Sequence, residues 1–170
     1  MNNTVRIAFS ILLIAGVAAC KKKQVKPTPP PSDTTSTETH AMENTGRYTR
    51  DSLDTDSCLR QRVVYFDLDK TEIKSEFQAQ IACHAEFLKQ FPDARVTLEG
   101  NADERGSREY NLGLGERRGN AVNSALQGAG GSAAQITVVS YGEERPTCDM
   151  SDESCWSKNR RVEIVYTARQ

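Results

Sequence analysis

The chain has 170 residues, and its 22 Lys+Arg against 23 Asp+Glu leave a formal net charge of −1. That balance removes any electrostatic basis for non-specific nucleic-acid binding. Residues 57–170 are the right size for one compact domain with its own core; the stretch before them has a different character.

Arg6 supplies a thin basic region, and an apolar run follows from Ile7 to Ala19. The run is shorter than the roughly 20 apolar residues that a membrane-spanning helix needs. It reads instead as an export signal over residues 1–19. Val17-Ala18-Ala19-Cys20 resembles a bacterial lipobox, which implies cleavage before Cys20 and acylation of its thiol; an ordinary signal followed by an incidental cysteine is the alternative. Several acyl chains, each worth about 0.8 kcal/mol per buried methylene, make a durable anchor. Lys21 is non-acidic, which in bacterial lipoproteins goes with sorting to the outer membrane, here to its periplasmic face.

Residues 20–56 turn polar, from Lys21-Lys22-Lys23 through Pro27-Thr28-Pro29-Pro30-Pro31 to Ser, Thr, Glu and Asn. With few aliphatic side chains to bury, this segment is expected to be a disordered tether.

Within the domain, Arg62 to Phe66 is β-branched and aromatic and predicts a strand that ends at Asp67-Leu68-Asp69. Residues 72–91 carry Phe77, Ile81, Ala85, Leu88 and Phe91 at helical spacing, and Pro92 stops the helix. Arg95 to Glu99 predicts a second strand with Val96 and Leu98 inward, closed by Gly100. A second helix is expected over 107–127, its face made by Tyr110, Leu114, Ala121, Val122, Ala125 and Leu126; Gly128 and Gly130-Gly131 end it. Gln135 to Tyr141 reads as a third strand. The loop 142–157 has room for a short helical turn. Arg161 to Thr167 alternates Val162, Ile164 and Tyr166 as a fourth strand. The order βαβα-β-β predicts an α+β domain with two long helices packed on one face of a four-stranded mixed sheet.

Besides Cys20 the chain has Cys58, Cys83, Cys148 and Cys155, an even number suited to an oxidising compartment. Of the three possible pairings, Cys148–Cys155 with Cys58–Cys83 is favoured: the first closes a short loop, and the second ties the start of the first strand to the first helix. No close CxxC pair or histidine partner supports a metal site, and no cofactor is called for. His40 lies in the tether; His84 is expected at a partly exposed polar position on the first helix.

One residue breaks the helical pattern. Leu114, Arg118 and Val122 are spaced by four, so the Arg118 guanidinium falls within an apolar stripe, where an unpaired charge is costly. Two readings compete: a structural ion pair that fixes the helix on the sheet, or a pocket arginine whose partner is supplied by a ligand carboxylate held bidentately. Asp103 leaves the second strand on the same side as the helix start. Asp103, Glu104 and Asp67 together would offer acidic groups for an ammonium, so the site could grip a zwitterionic amino acid.

Several spaced motifs then become recognisable in order: Val64-Tyr65-Phe66-Asp67-Leu68-Asp69-Lys70, Glu99-Gly100-Asn101-Ala102-Asp103-Glu104-Arg105-Gly106, Glu109-Tyr110-Asn111-Leu112 with Leu114-Gly115-Glu116-Arg117-Arg118, Val139-Ser140-Tyr141-Gly142, and Lys158-Asn159-Arg160-Arg161. Together they resemble the OmpA-like C-terminal domain family, in its peptidoglycan-associated lipoprotein branch, over about 62–167. The resemblance implies non-covalent binding of peptidoglycan stem peptides through meso-diaminopimelate, with Asp103 on the ligand amine and Arg118 on its carboxylate. Phe66, Asp67 and Leu68 after the first strand, with Asn111 and Leu114 at the helix start, would line the rest of the pocket. It also implies a place in the Tol system, with a periplasmic β-propeller protein as partner. Asn101 stands where that branch usually has His, and Gly119 where it usually has Ala, at up to ~1 kcal/mol of helix stability.

The expected function is therefore a non-enzymatic link between outer membrane and cell wall. A protein–protein adaptor with a structural Asp103–Arg118 pair is the alternative. A wall hydrolase using Asp103 and Glu104 is disfavoured, because the chain has no Gly-x-Ser-x-Gly elbow and no His-Glu-x-x-His signature.

Overall fold

In the computed structural model, which describes residues 46–168, four strands form one mixed sheet. They are β1 (Val63–Tyr65), β2 (Arg95–Asn101), β3 (Ile136–Gly142) and β4 (Arg161–Ala168), in the order β1-β4-β2-β3. β4 runs antiparallel to β1 and β2, and β2 and β3 are parallel. The register sets Val96 against Tyr166 and Leu98 against Ile164, so the period-2 alternation of these strands gathers their apolar side chains on one face. Helices α1 (Ser52–Thr55), α2 (Gln78–Gln90), α3 (Arg108–Gly128) and α4 (Glu153–Asn159) complete the domain. Ile81, Ala85 and Leu88 of α2, with Val122 and Leu126 of α3, close the core over that face. The α+β arrangement predicted from the sequence is the one observed.

Glycine sets how closely α3 approaches the sheet. A Cβ at Gly100 would lie 2.0 Å from the Gly115 carbonyl oxygen, and one at Gly119 would lie 2.5 Å from Val138 Cγ1. Gly119, expected only to weaken the helix, is thus a point of close contact where alanine would need the stiff Val138 to shift. This tight seat fixes the first half of α3, which carries Asn111, Leu114 and Arg118.

Several boundaries differ from expectation. The helix expected from residue 72 is α2, which starts at Gln78 after a single 3-10 turn at Ser75–Phe77. Lys74 is extended there, at φ −65° and ψ 149°, and its ammonium is paired 2.7 Å from Asp67. The loop after β3 holds all of α4, because the Asp152 side chain caps it by accepting from the Ser154 and Cys155 amides. β2 runs through Gly100 to Asn101 instead of ending at Glu99.

The folded part also begins earlier than residue 57. Tyr48 and Leu53 are buried in the core. The Tyr48 amide donates to Gln90 Oε1 at 3.0 Å, and Gln90 returns a bond to the Tyr48 carbonyl. Arg47 pairs with Glu86 and Arg50 with Asp93. Residues 46–57 therefore strap across the C-terminal end of α2, and the Cys58–Cys83 disulfide follows directly. Cys148–Cys155 is also bonded, so both favoured pairings are present. The signal 1–19, Cys20 and the tether up to residue 45 lie outside the described residues.

His84 is fully buried, not partly exposed. Its Nε2 lies 2.9 Å from the Gln61 carbonyl, which can only accept, so Nε2 carries the proton and Nδ1 accepts from the Tyr166 hydroxyl at 2.9 Å.

Candidate functional site

The site forms where β1 and β2 end and α3 begins. The side-chain oxygen of Ser107 caps α3 by accepting from the Tyr110 amide at 3.2 Å. The turn before it uses Gly106 at φ 114°, a conformation that glycine adopts freely. Three turns into the helix Arg118 is wholly buried.

Among the described residues no carboxylate holds Arg118. Its Nε donates to the Lys70 carbonyl at 2.9 Å, Nη1 to that of Asn101 at 2.9 Å and Nη2 to that of Asp67 at 3.0 Å. The guanidinium also lies 5.3 Å from the centre of the Phe66 ring. Three of its five N–H donors are thereby used, and among the described residues it forms no ion pair. The structural Asp103–Arg118 pair is therefore not what the chain builds. Burial, with the nearby charge of Arg160, pulls Arg118 down to about 10, so it stays cationic at neutral pH.

Asp103 is 4% exposed and held by two other arginines. Arg105 donates to Oδ1 from its backbone amide and Nε, both at 3.1 Å, and to Oδ2 from Nη2 at 2.7 Å. Arg160 Nη1 reaches Oδ2 at 3.2 Å. Burial raises the Asp103 carboxyl, but the bonds from Arg105 and Arg160 outweigh it and hold the group below its ordinary value. Arg160 is itself fixed by the Phe66 carbonyl at 3.1 Å and by Glu153.

Asp103 and Arg118 share one cavity of about 380 Å³, with Leu68, Asn111 and Leu114 in its wall. Asp69, Arg105, Tyr110 and Arg160 line it too. Asp67 and Phe66 do not. Asp67 turns outward to Lys74, and Phe66 is buried beneath Arg118; both border a neighbouring groove instead. Glu104 is exposed and accepts from Trp156 Nε1 at 3.1 Å, so Asp103 and Glu104 do not converge as an acid/base pair. Asn101 is buried and bonds the Glu99 carbonyl, so its contribution is the backbone carbonyl given to Arg118 and not an amide in the pocket.

Tyr110, predicted for the core, is 45% exposed at the rim, where its hydroxyl donates to Asp69. Asp69 adopts the left-handed region at φ 58°, which aspartate tolerates better than most residues. The sequence reading gave Arg105, Arg160, Asp69 and Tyr110 no role in the site. A buried Asp103 demands cationic partners, and that demand is the signal that could have found the two arginines.

A family model described as the OmpA family matches residues 65–161. The chain belongs to the OmpA family. It is 46% identical over 107 residues to the peptidoglycan-associated lipoprotein of Pasteurella multocida (strain Pm70), covering 63% of this chain and 71% of that protein. Its identity to the peptidoglycan-associated lipoprotein of Pseudomonas putida is 48% over 114 residues, covering 66% and 68%. The crystal structure of the peptidoglycan-associated lipoprotein from Burkholderia pseudomallei superposes with a TM-score of 0.66 at 43% identity, covering 68% of this chain and 98% of that one. The C-terminal domain of Helicobacter pylori MotB, at 21% identity and a TM-score of 0.57, shares the fold.

Proposed function

We propose that this OmpA-family chain is a lipid-anchored protein of the outer membrane that binds peptidoglycan non-covalently and joins the two layers without enzymatic activity. One observation carries the ligand assignment: a buried guanidinium with no carboxylate partner shares a cavity with a buried aspartate. An isolated buried charge is unfavourable, and a ligand carboxylate on the two spare N–H groups of Arg118 would complete its shell. An ammonium on the same ligand would lie toward Asp103, with Leu68 and Leu114 against the methylenes between. meso-Diaminopimelate in the stem peptide has this pattern of groups. The names of the relatives support the same class of ligand. Cys20 would hold the membrane end, and the tether would span the gap. Membership of the Tol system, through a periplasmic β-propeller partner, belongs to the same reading and rests on the family likeness.

The test is co-sedimentation of the full chain with purified sacculi. Wild type should pellet with the wall and be released by free meso-diaminopimelate. Asp103→Asn should stay in the supernatant while melting as a folded protein. Wild-type pelleting by Asp103→Asn would remove the cavity from the binding surface. Retention of the β-propeller protein on the immobilised chain tests the Tol assignment separately.

A further inference from the structure

In this structure Asp103 has no room for a ligand ammonium. A carboxylate offers about four acceptor positions, and the four bonds from Arg105 and Arg160 fill them. One donor must leave before an amine can bind. Arg160 is poorly placed to do so: its side chain is 6% exposed and also grips the Phe66 carbonyl and Glu153. Arg105 is the freer of the two. Its side chain is 32% exposed, its guanidinium carbon sits 4.1 Å from the centre of the Trp156 ring, and its Nη2 is already 3.6 Å from Glu153.

We propose that Arg105 is a built-in surrogate for the ligand's ammonium, resting on Asp103 while the cavity is empty and, when a ligand amine takes its place, sliding along the Trp156 ring it already covers to close on Glu153. The inference rests on the reading of the cavity as an amino-acid site, and it adds a determinant of specificity. An empty site keeps Asp103 neutralised, so the buried carboxylate is never left uncompensated. A ligand bearing only an amine must displace a bidentate guanidinium and gains nothing from Arg118. A zwitterion gains both contacts, so displacement of Arg105 selects for ligands that also satisfy Arg118.

The chain reports on this exchange through its single tryptophan, Trp156. Full-length protein in detergent is titrated with meso-diaminopimelate, following heat and tryptophan emission. Wild type should change its emission on binding. Arg105→Gln should bind about tenfold tighter, the factor expected if the open site is about one-tenth populated in wild type, and the emission change should vanish. Arg105→Lys, whose ammonium cannot chelate the carboxylate, should also bind tighter than wild type, and it carries the test if the glutamine variant does not fold. Affinity equal to or weaker than wild type in the folded variants overturns the surrogate role, and so does a persisting emission change. Asp103→Asn tests the underlying site: abolished binding there with unchanged affinity in Arg105→Gln rejects only the surrogate, whereas undiminished binding in Asp103→Asn rejects both.

Discussion

Gly100 on β2 and Gly115 on α3 meet backbone to backbone: a methyl group on Gly100 would stand 2.0 Å from the Gly115 carbonyl oxygen. Neither chain segment can retreat cheaply, because β2 is hydrogen-bonded on both sides and α3 carries Arg118 into the site. Gly100→Ala should therefore lower unfolding free energy by about 2 kcal/mol or more, measured by urea titration. Gly128→Ala is the contrast. A Cβ there meets nothing within 4 Å, so stability should hold or rise by up to about 1 kcal/mol.

Acid should weaken the fold through His84. Burial lowers its imidazole from 6.5 to about 4, against the opposing bond to the Gln61 carbonyl. Between those values the unfolded chain binds the proton that the folded chain refuses, so stability falls as pH drops from about 6.5 to about 4. The loss should be on the order of 3 kcal/mol, at about 1.36 kcal/mol per pH unit of displacement. Urea midpoints for wild type and His84→Gln should diverge at neutral pH and converge toward pH 4. Parallel curves would assign the acid sensitivity to other groups.

Arg118 serves the fold as well as the cavity. Arg118→Ala strands the carbonyls of Asp67, Lys70 and Asn101 and empties a buried volume, and should cost about 3 kcal/mol or more. Arg118→Lys keeps the charge but cannot reach three carbonyls from one nitrogen, so its loss should be smaller but clear. Thermal melts of both variants beside wild type check the order.

A chain cut to begin at Ser57 should be less stable than one beginning at Gly46. The longer form buries Tyr48 and Leu53, and full burial of a leucine alone is worth roughly 1.5–3 kcal/mol. Equal midpoints would mean that the strap does not stabilise the domain.

The parts of the molecule legible in the sequence are those written in periodicity. Val162, Ile164 and Tyr166 announce a strand, and the guanidinium among Leu114 and Val122 announces a special position. Asp103 is legible because it follows the end of the second strand at the turn that leads into the helix. What stayed hidden depends on contacts across the chain. Nothing local marks Arg160 as a partner of Asp103, 57 residues away. The outward turn of Asp67 follows from Lys74. His84 looks polar until the Tyr166 hydroxyl and Gln61 carbonyl are seen to satisfy it. The strap looks like tether because its apolar residues are few, and their burial depends on the amide of Gln90.

The strap and the cavity stand at opposite poles of β2. Arg50 pairs with Asp93 just before the strand, and Asp103 lies just beyond its far end; a seven-residue strand is about 20 Å long at ~3.3 Å per residue. A pull between the N-terminal segment and a ligand in the cavity would therefore run along the strand axis. Ladder bonds to β4 lie across that direction, so they would share the load in shear instead of opening one by one. Tension would reach the domain in the direction its central strand resists best.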